Sequence, residues 1–334
     1  MAKDNLPKII VVIGPTASGK SDLALRLTKL AQGKAFKKAG ITSAEIISAD
    51  SRQVYRGMDI GTGKVLRDKN FPVPNLKFKN QNEKFRDFYS KGIRHYLIDV
   101  ASPKKQFTAS DFKKLGEKAI QEILKNGKIP IVVGGTGFYI DILLGRMQTA
   151  EVPPDPKLRR HFDKLSAKHL FSMFRKLDPQ RAETIDSHNK RRLVRVLEIV
   201  LSTAKPVPPL NPKYLIRNTK YQVLWLGINP SKKKLAERIK KRLDKRFRQG
   251  MVQEVNRLHR QGVSWKRLDN FGLEYRWISR YLRNLISKEE MRENLYRDII
   301  KYSKRQMTWF KRNKEINWIN NIKTAEKLIR RFMN

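Results

Sequence analysis

The sequence predicts an α/β protein: a parallel sheet that is interrupted by a helical insertion and followed by a mainly helical C-terminal part. Short segments rich in β-branched residues alternate with helical patterns through the first 150 residues, which is typical of βαβ units. A glycine-rich loop follows the first of these segments. An interval of nearly ninety residues, too long for one crossover helix, separates the fourth segment from the fifth.

The individual elements follow from hydrophobic periodicity. Strands are predicted at residues 8–13, 45–48, 96–100, 129–133 and 222–226. Helices are predicted at 20–31 and 110–125, and Thr108 followed by Asp111 gives the second helix the pattern of a capping box. After the fifth strand the pattern is helical as far as Asn313, and a short INWIN strand and a last helix follow.

The long interval is predicted to be a separate helical domain. Proline clusters at 152–156 and 206–212 bound it, and between them apolar residues recur at helical spacing with basic residues on the opposite face. We therefore divide the chain into a first core part (1–150), an insertion (151–212) and a second, mainly helical core part (213–334).

The composition is strongly basic, with 73 Lys and Arg against 31 Asp and Glu and a formal net charge of +42. The charge is also concentrated locally, since residues 231–260 carry twelve Lys and Arg but three Asp and Glu. Such an excess attracts polyanions over long range, so nucleic acid, bound mainly through its phosphates, is the leading partner. A proteome that is basic overall would explain the charge as solvated surface instead.

Other features of the composition narrow the class of protein. Cysteine is absent, which excludes disulfides, cysteine nucleophiles and thiolate metal sites. No apolar run approaches the length of a membrane span, and the first residues, MAKDNLPKII, lack the pattern of a signal peptide. We expect a soluble, cytoplasmic protein with no membrane partner. A monomer is the default expectation, although nothing in the sequence bears on oligomeric state.

A phosphate-binding loop follows the first strand. Its sequence matches G-x-x-x-x-G-K-[ST] and consists of Gly14, Pro15, Thr16, Ala17, Ser18, Gly19, Lys20 and Ser21. Backbone N–H groups in such a loop converge on an anion at the positive end of a helix dipole. Lys20 then reaches the terminal phosphates, and Ser21 offers its hydroxyl to Mg²⁺. The core is therefore predicted to be P-loop NTPase-like, but the loop alone does not say whether phosphate is transferred or discarded.

Two further strand ends are predicted to lie at the same crevice, outside the carboxyl edge of the sheet. Asp50 follows the second strand, where a carboxylate facing a phosphate site is either a magnesium ligand or a base. An aspartate that only forms a turn or caps a helix is the alternative. The fourth strand ends in Gly134, Gly135 and Thr136, where two glycines allow close approach of a ligand and a hydroxyl follows.

Several motifs occur in a fixed order along nearly the whole chain. They are GPTASGKS, ISADSRQVYRGMDIGTGK, HYLIDV, VVGGTGFYI, RRLVRVLEI, FGLEYR and RQMTWF. Together they resemble the tRNA dimethylallyltransferase family, whose members prenylate an adenosine beside the anticodon. DSRQVYRGMDIGT with VVGGT is highly specific, whereas many families share the P-loop. The resemblance implies a P-loop core that carries a helical insertion.

The resemblance also implies a mechanism. In this family the P-loop holds the diphosphate of dimethylallyl diphosphate, and the organic group moves while pyrophosphate leaves. Lys20, and Mg²⁺ on Ser21, would stabilise the departing pyrophosphate. Thr136 would donate to the leaving oxygen, and Arg242 would be the matching cation from the basic helix. Asp50 would accept the N6 proton as general base, because the exocyclic amine is too weakly acidic to lose it beforehand.

A tRNA-binding set is implied as well. Asp50, Ser51, Arg52 and Gln53 would touch the target adenosine, which must leave its stack to reach the site. The insertion would hold the anticodon stem-loop through Arg159, Arg191, Arg192, Leu193, Val194 and Arg195. The FGLEYR segment would lie near the stem-loop. Without the resemblance, the 191–195 segment would be interpreted as a solvated basic helix face.

The sequence departs from the family pattern in two respects. Arg246 stands where an apolar residue is expected, which leaves open whether Arg242 or Arg238, one turn earlier, is the active-site arginine. Segments 34–43 and 65–94 are longer than the family's connections, and the second is predicted to be a long loop with room for a short helix. Neither segment contains a motif residue, so what stays open is the function of these loops.

Three other functions use some of the same features. A small-molecule kinase would share the P-loop but would have no use for DSRQ beside VVGGT. A prenyltransferase acting on free AMP or ATP shares the core motifs, but the basic insertion favours a macromolecular substrate. A non-catalytic RNA-binding protein with an idle loop would not need Asp50, Lys20 and Thr136 together.

Overall fold

The computed structural model describes residues 6–69, 87–147, 150, 152–207 and 220–334. Within these ranges the strands are β1 Lys8–Ile13, β2 Ser43–Ser48, β3 Phe88–Ser90, β4 Ile93–Tyr96, β5 Lys128–Gly134, β6 Gln222–Ile228 and β7 Asn317–Ile319. The first helices are α1 Lys20–Leu30, α2 Lys34–Lys38, α3 Ala109–Lys125, α4 Gly137–Leu143, α5 Pro156–Asp163, α6 Ala167–Leu177, α7 Pro179–Ala182 and α8 Lys190–Thr203. The later helices are α9 Lys232–Arg248, α10 Met251–Arg260, α11 Trp265–Phe271, α12 Leu273–Leu282, α13 Lys288–Phe310 and α14 Ile322–Met333.

These strands form a sheet in the order β3-β4-β2-β5-β1-β6-β7. Neighbouring strands are parallel, except for the antiparallel pair β3 and β4. In the middle of the sheet Ile10 lies opposite Ile131 of β5 on one side and Leu224 of β6 on the other. Because β2, β5 and β1 are adjacent and parallel, their carboxyl ends meet at one edge, as the sequence predicts.

Strand β1 shows why these strands appear in the sequence as continuous apolar runs. Ile10 and Val12 belong to a core cluster that α1 and α14 cover, whereas Ile9, Val11 and Ile13 belong to a cluster on the other face, which α3 and α4 cover. Side chains alternate along a strand, so a strand that is covered on both faces needs apolar residues at every position. The parallel α/β fold class is confirmed.

The strand predicted at 96–100 is misplaced. The structure has β4 at Ile93–Tyr96, and Leu97 and Asp99 have positive φ angles of 64° and 59°, which no strand residue adopts. The apolar residues that follow β4 are buried in a turn. The same hairpin corrects the loop prediction for 65–94, because β3 and the start of β4 lie in that segment; residues 70–86 are outside the described ranges.

The remaining local predictions agree with the structure. Thr108 caps α3, with its side chain accepting from the backbone N–H of Asp111 while the Asp111 carboxylate accepts from the N–H of Thr108. Helices α9 to α13, strand β7 and helix α14 follow β6, as the pattern after residue 226 predicts. In the described part of the chain, no helix has both the length and the apolar sequence that are needed to cross a bilayer.

The chain divides into two compact units, Met1–Leu144 with Thr219–Asn334, and Gly145–Asn218. The first contains the sheet, with a third core cluster formed by α9 to α13 and the segment after β2. The second is a helical unit whose core includes Phe162, Phe174 and Leu193 from three of its helices. Its limits lie six residues outside each end of the insertion predicted at 151–212.

Candidate active site at the carboxyl edge of the sheet

The P-loop joins β1 to α1. Gly19 is the N-cap residue of α1 and has a φ of 97°, a left-handed conformation that favours glycine. Since glycine has no side chain, the first N–H groups of the helix have no capping hydrogen bond from this position. The positive end of the helix dipole is therefore offered to an anion.

Two arginines from α9 contact the loop, one helical turn apart. Arg238 donates to the carbonyl oxygen of Ser18 at 3.0 Å, whereas the Arg242 guanidinium donates to the hydroxyl of Thr16. Arg242 also lines the same cavity as Lys20, but Arg238 is not among the lining residues. The geometry therefore favours Arg242 over Arg238 as the arginine that meets a substrate.

Lys20 carries its ammonium group over the loop, where Nζ donates to the carbonyl oxygen of Pro15 at 3.2 Å. Burial lowers the pKa of Lys20 to about 8; Asp50 opposes this shift, and the nearby Arg242 and Arg246 add to it. Burial and Arg246 lower the pKa of Arg242 as well. Cations with lowered pKa values that share a cavity mark a place where an anion is stabilised.

Asp50 lies directly beyond β2. Its Oδ1 accepts from the backbone N–H of Arg52 at 2.8 Å, which forms an Asx turn and fixes the carboxylate. Among the described residues, no donor is hydrogen-bonded to Oδ2. Asp50 thus forms a turn through Oδ1, which is the alternative role considered above, and its Oδ2 remains for another group.

Thr136 lies beyond β5 at the N-cap position of α4, but its side chain makes no capping hydrogen bond. Instead the Thr136 hydroxyl accepts from the backbone N–H of Ser51 at 3.2 Å. Thr136 is not among the residues that line the cavity, whereas Gly134, two residues earlier, is. The contact with Ser51 nevertheless ties Thr136 to the residue that follows Asp50.

One cavity brings the predicted groups together. Its polar wall includes Thr16, Lys20, Ser21, Ser48, Asp50, Gln53 and Arg242. Four apolar side chains from the strand ends and the following loops also line it: Ile46, Val65, Ile98 and Val133. Thr62, Gly63, His95 and Gly134 complete the wall, which therefore offers both cationic and apolar groups to a ligand.

The donor set fits Mg²⁺ only as a partner of a phosphate ligand. In the described ranges, no group of three or more His, Cys, Asp or Glu side chains could hold a metal ion on its own. Ser21 does line the cavity with Lys20, and Mg²⁺ is commonly bound by one or two protein oxygens together with substrate phosphates and water. Ser21 therefore remains a suitable ligand for an ion that arrives with a diphosphate.

A buried glutamate that the sequence did not single out shapes the loop after β2. Glu254 of α10 is 1% exposed and accepts hydrogen bonds from three consecutive backbone N–H groups, those of Asp59, Ile60 and Gly61, at 2.7–3.0 Å. It also accepts from the Tyr275 hydroxyl at 2.8 Å. The MDIGT part of the motif thus surrounds a carboxylate of the protein itself.

Arg246 has a structural role that explains why it replaces an apolar residue. Its guanidinium is buried and donates to the Glu274 carboxylate at 2.9 Å and to the Gly61 carbonyl oxygen at 3.0 Å. Lys64 at the end of the motif is likewise paired, with Asp59 at 2.8 Å. The segment from Asp59 to Lys64 is therefore held by the buried Arg246–Glu274 pair, through the Gly61 carbonyl, and by Lys64, whose partner Asp59 is exposed.

Two residues predicted to touch the target nucleotide are engaged by the protein. The Arg52 Nε donates to the carbonyl oxygen of Phe271 at 2.9 Å. The Gln53 side chain accepts from the Ser48 hydroxyl at 2.9 Å and donates to the carbonyl oxygen of Gly63 at 3.3 Å. Of the two, Gln53 lines the cavity.

In the helical unit, Glu198 organises the predicted tRNA-binding arginines. It is fully buried, and it accepts hydrogen bonds from Arg159 at 2.9 Å and from Arg195 at 2.5 Å. Burial raises the pKa of Glu198, but the hydrogen bonds from these arginines bring it below the ordinary value. Leu193 and Val194 are buried in the core of the unit, so their side chains offer no surface to a partner.

Arg191 and Arg192 are the exposed members of that set. They lie in the first turn of α8, after its N-cap, Asn189, and its first residue, Lys190. From Leu193 to Val200 every position except Arg195 is buried, which explains why the segment includes apolar residues. Arg191 and Arg192 are therefore the members of this segment with the most surface to offer to nucleic acid.

Comparison with known proteins gives consistent matches. The model of the family described as IPP transferase matches residues 53–313. A tRNA dimethylallyltransferase of Acetivibrio thermocellus is 36% identical over 94% of this chain and 92% of its own length. A similar protein named tRNA dimethylallyltransferase 2, from Citrifermentans bemidjiense, is 36% identical over 95% of this chain and 92% of its own length.

A solved structure shares the architecture. The tRNA delta(2)-isopentenylpyrophosphate transferase of Staphylococcus epidermidis superposes with a TM-score of 0.64 at 32% identity, covering 98% of this chain and 99% of the other. The match therefore includes the residues of the sheet unit and those of the helical unit.

Proposed function

The chain belongs to the IPP transferase family and is a transferase, and from that premise we infer that it moves the dimethylallyl group of dimethylallyl diphosphate to the N6 amine of the adenosine next to the anticodon of tRNA. The observation that carries this inference is the single cavity that is lined by Lys20 and Arg242, by apolar side chains and by the Asp50 carboxylate. A diphosphate, a prenyl group and an amine that loses a proton require these three environments.

The cationic end of the cavity receives the diphosphate. The uncapped N–H groups of the first turn of α1, the Lys20 ammonium and the Arg242 guanidinium all act on an anion there. When Mg²⁺ is bound, with Ser21 as its protein ligand, it adds positive charge against the phosphate oxygens. These groups bind the departing pyrophosphate more strongly than the intact ester, since charge builds up on it as the C–O bond breaks.

The apolar wall holds the organic group, and Asp50 accepts the proton. Ile46, Ile98 and Val133 enclose a short hydrocarbon chain and keep water from an allylic carbon that becomes positive. As the C–N bond forms and the C–O bond breaks, the N6 proton passes to Oδ2 of Asp50, while Oδ1 stays hydrogen-bonded to the backbone. The Thr136 hydroxyl donates a hydrogen bond to the leaving oxygen and keeps its proton.

The alternatives fit these observations less well. A small-molecule kinase would use the P-loop but would have no use for the DSRQ segment that places Asp50 and Gln53 in the same cavity. A transferase acting on free adenine nucleotides would not need a separate basic helical unit. The relatives that cover both units are tRNA enzymes by name.

The decisive experiment supplies the chain with dimethylallyl diphosphate and one acceptor at a time. Unmodified tRNA, AMP and ATP are compared, and the nucleosides are analysed by mass spectrometry after digestion. We expect the mass of one dimethylallyl group on adenosine from tRNA only. Modified AMP would contradict the tRNA assignment, and transfer of label from γ-labelled ATP to either acceptor would contradict prenyl transfer.

A salt titration tests the role of the helical unit. Replacing Arg191 and Arg192 together with Ala should make the plot of log K for tRNA against log salt shallower by roughly 1.5, since each phosphate contact contributes about −0.7 to −0.9 to the slope. The matched control, Arg330→Ala with Arg331→Ala, removes the same charge from exposed positions of α14. Equal slopes for the two double variants would leave Arg191 and Arg192 as solvated surface.

A further inference from the structure

The RQMTWF motif, residues 305–310, lies in the last two turns of α13 and has no part in the mechanism proposed above. Two of its side chains, those of Gln306 and Trp309, contact the segment from Gly135 to Gly137. That segment contains Thr136, which the proposed mechanism does use. The motif therefore lies beside the proposed catalytic groups and lacks an assigned role.

Gln306 joins two loops of the active site with one amide group. Its side chain is buried; Oε1 accepts from the backbone N–H of Thr16 at 2.8 Å, and Nε2 donates to the carbonyl oxygen of Gly135 at 2.8 Å. Thr16 belongs to the P-loop after β1, whereas Gly135 belongs to the loop after β5. Helix α13 thus connects the diphosphate-binding loop to the residue that precedes Thr136.

This connection needs a side chain that both donates and accepts. A neutral amide carries both groups on one plane, whereas an ionised carboxylate only accepts. The two backbone partners also determine the orientation of the amide, since an N–H group needs the oxygen and a carbonyl needs the NH₂ group. Because a buried backbone group without a partner is destabilising, the two loops stay at the separation that Gln306 spans.

The glycines on either side of Thr136 are explained by the same helix. A Cβ atom on Gly135 would lie 2.2 Å from Gln306 Nε2, and a Cβ atom on Gly137 would lie 2.2 Å from Trp309 Cδ1. Neither glycine has a positive φ, so glycine is needed here for close approach and not for an unusual backbone conformation. Helix α13 therefore packs directly on the backbone before and after Thr136.

Thr136 is bound to the loop after β2 as well. Its backbone N–H donates to the carbonyl oxygen of Ala49 at 3.2 Å, and its hydroxyl accepts from the N–H of Ser51 at 3.2 Å. The Lys20 side chain passes close to the same segment, since the Cβ position of Gly135 lies 3.7 Å from Lys20 Cε. A shift of Gly135 would therefore move Thr136 relative to the cation that faces the diphosphate.

We propose that Gln306 is a positioning residue, which holds the Thr136 hydroxyl at the distance from the P-loop that lets it donate to the leaving oxygen of the diphosphate. The inference rests on the proposed function, in which Thr136 has that role. Gln306 does not line the cavity, so it acts through Thr136 and does not contact the reacting atoms. Such precision matters because a displacement of about 1 Å can slow a reaction about 10²-fold.

The P-loop keeps other supports when the amide is removed. From α9, Arg238 donates to the carbonyl oxygen of Ser18, and Arg242 donates to the hydroxyl of Thr16. We therefore expect substitution of Gln306 to leave the diphosphate bound and to slow the chemical step.

A double-mutant cycle tests the proposal, with the single-turnover rate of prenylation measured at saturating tRNA and dimethylallyl diphosphate. Gln306→Met keeps the length of the side chain but removes the amide, and it should slow the step by about 10²-fold. Thr136→Ala should slow the step by about 10²-fold or more, as the loss of one donor to a developing oxyanion does. In the Thr136→Ala background, Gln306→Met should change the rate less than about threefold, because the hydroxyl that it positions is gone.

Two further measurements separate positioning from a general loss of structure. The Kd of dimethylallyl diphosphate should stay within about threefold of the wild-type value in Gln306→Met. Gln306→Asn keeps an amide in case the Met variant does not fold, but its side chain is one methylene shorter and cannot span both loops. It should be slower by about tenfold, the effect of one lost hydrogen bond, and again only when Thr136 is present.

Ser303→Ala is the matched control, since Ser303 is buried on the same helix and its hydroxyl donates within that helix, to the carbonyl oxygen of Ile300. Its rate should equal that of the wild type. An equal cost of Gln306→Met with and without Thr136 would overturn the proposal, because Gln306 would then act independently of that hydroxyl. A normal rate for Gln306→Met, with Thr136→Ala slow, would overturn it as well.

The proposed function fails in a different way. An unchanged rate for Thr136→Ala would refute the proposed role of Thr136 and, with it, the role of Gln306. A wild-type protein that leaves tRNA unmodified would refute the proposed function itself, whatever the variants do.

Discussion

The two loops that meet at the cavity are built in opposite ways. The P-loop leads into a helix whose N-cap, Gly19, offers no side chain to the N–H groups of the first turn. In the loop after β2, by contrast, three consecutive N–H groups are bound by the buried carboxylate of Glu254. Both loops present backbone donors to a negative charge. In the loop after β2 that charge is the Glu254 carboxylate, whereas in the P-loop a ligand has to supply it.

This difference indicates a division of labour. A loop with open donors in the first turn of its helix binds an anionic ligand and depends on that ligand for its charge balance. Burial, together with neighbouring cations, lowers the pKa values of Lys20 and of the nearby Arg242. A loop whose donors are satisfied is already in its final conformation, and it can hold Asp50 in place without a ligand. Substitutions in the first loop should therefore affect binding and chemistry, whereas substitutions around the second should affect its order.

The largest effect is expected for Lys20→Ala in the open loop. It removes the ammonium group that faces the diphosphate, so turnover should fall below detection, a loss of at least about 10³-fold. The affinity for tRNA should change no more than a few-fold, because the arginines proposed to hold the anticodon stem-loop belong to the helical unit. Filter binding and single-turnover assays on the same preparation measure both quantities, and an equal loss in the two would contradict the division.

The next largest effect is expected for Asp50, which lines the cavity and belongs to the satisfied loop, the loop after β2 whose N–H groups are bound by Glu254. Asp50→Asn keeps the Asx turn, because the amide oxygen still accepts from the N–H of Arg52, but the amide cannot take up a proton. The single-turnover rate at saturating substrates should fall by about 10² to 10⁴, the usual cost of a positioned general base, with tRNA affinity little altered.

Titration with Mg²⁺ is the companion measurement for this variant. A general base leaves the apparent affinity for Mg²⁺ unchanged when it is replaced. A near-normal rate at high Mg²⁺, combined with weakened metal affinity, would instead make Asp50 a metal ligand. The paired Asp59→Asn change serves as control, because Asp59 lies on the same loop and is bound to Lys64 rather than facing the cavity.

The open loop could be predicted from the sequence, because its function depends on short-range pattern. G-x-x-x-x-G-K-[ST] between a strand and a helix specifies the backbone, and Asp50 and Thr136 follow from the positions of two strand ends. The order of the strands in the sheet then brings these ends together. Arg242 could be predicted only with Arg238 as an alternative, since both lie on one helix face and a choice between them requires tertiary structure.

The satisfied loop could not be predicted in the same way. Glu254, Glu274 and Arg246 come from helices far along the chain, and a glutamate in an amphipathic helix gives no signal that it is buried. An arginine at an apolar position was the one visible sign, and its physical meaning is the ion pair with Glu274. The misplaced strand at 96–100 has a similar cause, because buried turn residues are as apolar as strand residues.

Glu254→Gln tests the satisfied loop directly. One oxygen becomes an NH₂ group that cannot accept from the backbone donors, so at least one charge-assisted hydrogen bond is lost. The free energy of unfolding should fall by about 2 kcal/mol, measured by urea denaturation, and the prenylation rate should fall because Asp50 is held less firmly. Diphosphate affinity should stay within about twofold.

Glu237→Gln, at an exposed position of α9, is the control for that experiment and should leave both stability and rate unchanged. A Glu254→Gln variant with normal stability would show that the loop does not depend on this carboxylate. A loss of diphosphate affinity as large as the loss of rate would show that the two loops are not independent.

The smallest expected effect is the uptake of part of a proton by Lys20 when the diphosphate binds. Because the pKa of Lys20 is about 8 in the ligand-free protein, roughly half of these side chains are uncharged near pH 8. A bound diphosphate stabilises the ammonium form and raises its pKa, so binding should take up about half a proton at that pH and much less near pH 6, where Lys20 is already charged. Accordingly, diphosphate affinity should weaken as the pH rises through about 8.

Calorimetry of dimethylallyl diphosphate binding without tRNA, in buffers of different ionisation enthalpy, measures this uptake of protons. Lys20→Arg is the matched control, since a guanidinium stays charged, and subtracting its uptake removes the protonation of the ligand itself. Equal uptake by the two proteins would mean that Lys20 is fully charged before the ligand arrives, and that the open loop does not depend on its ligand for charge balance.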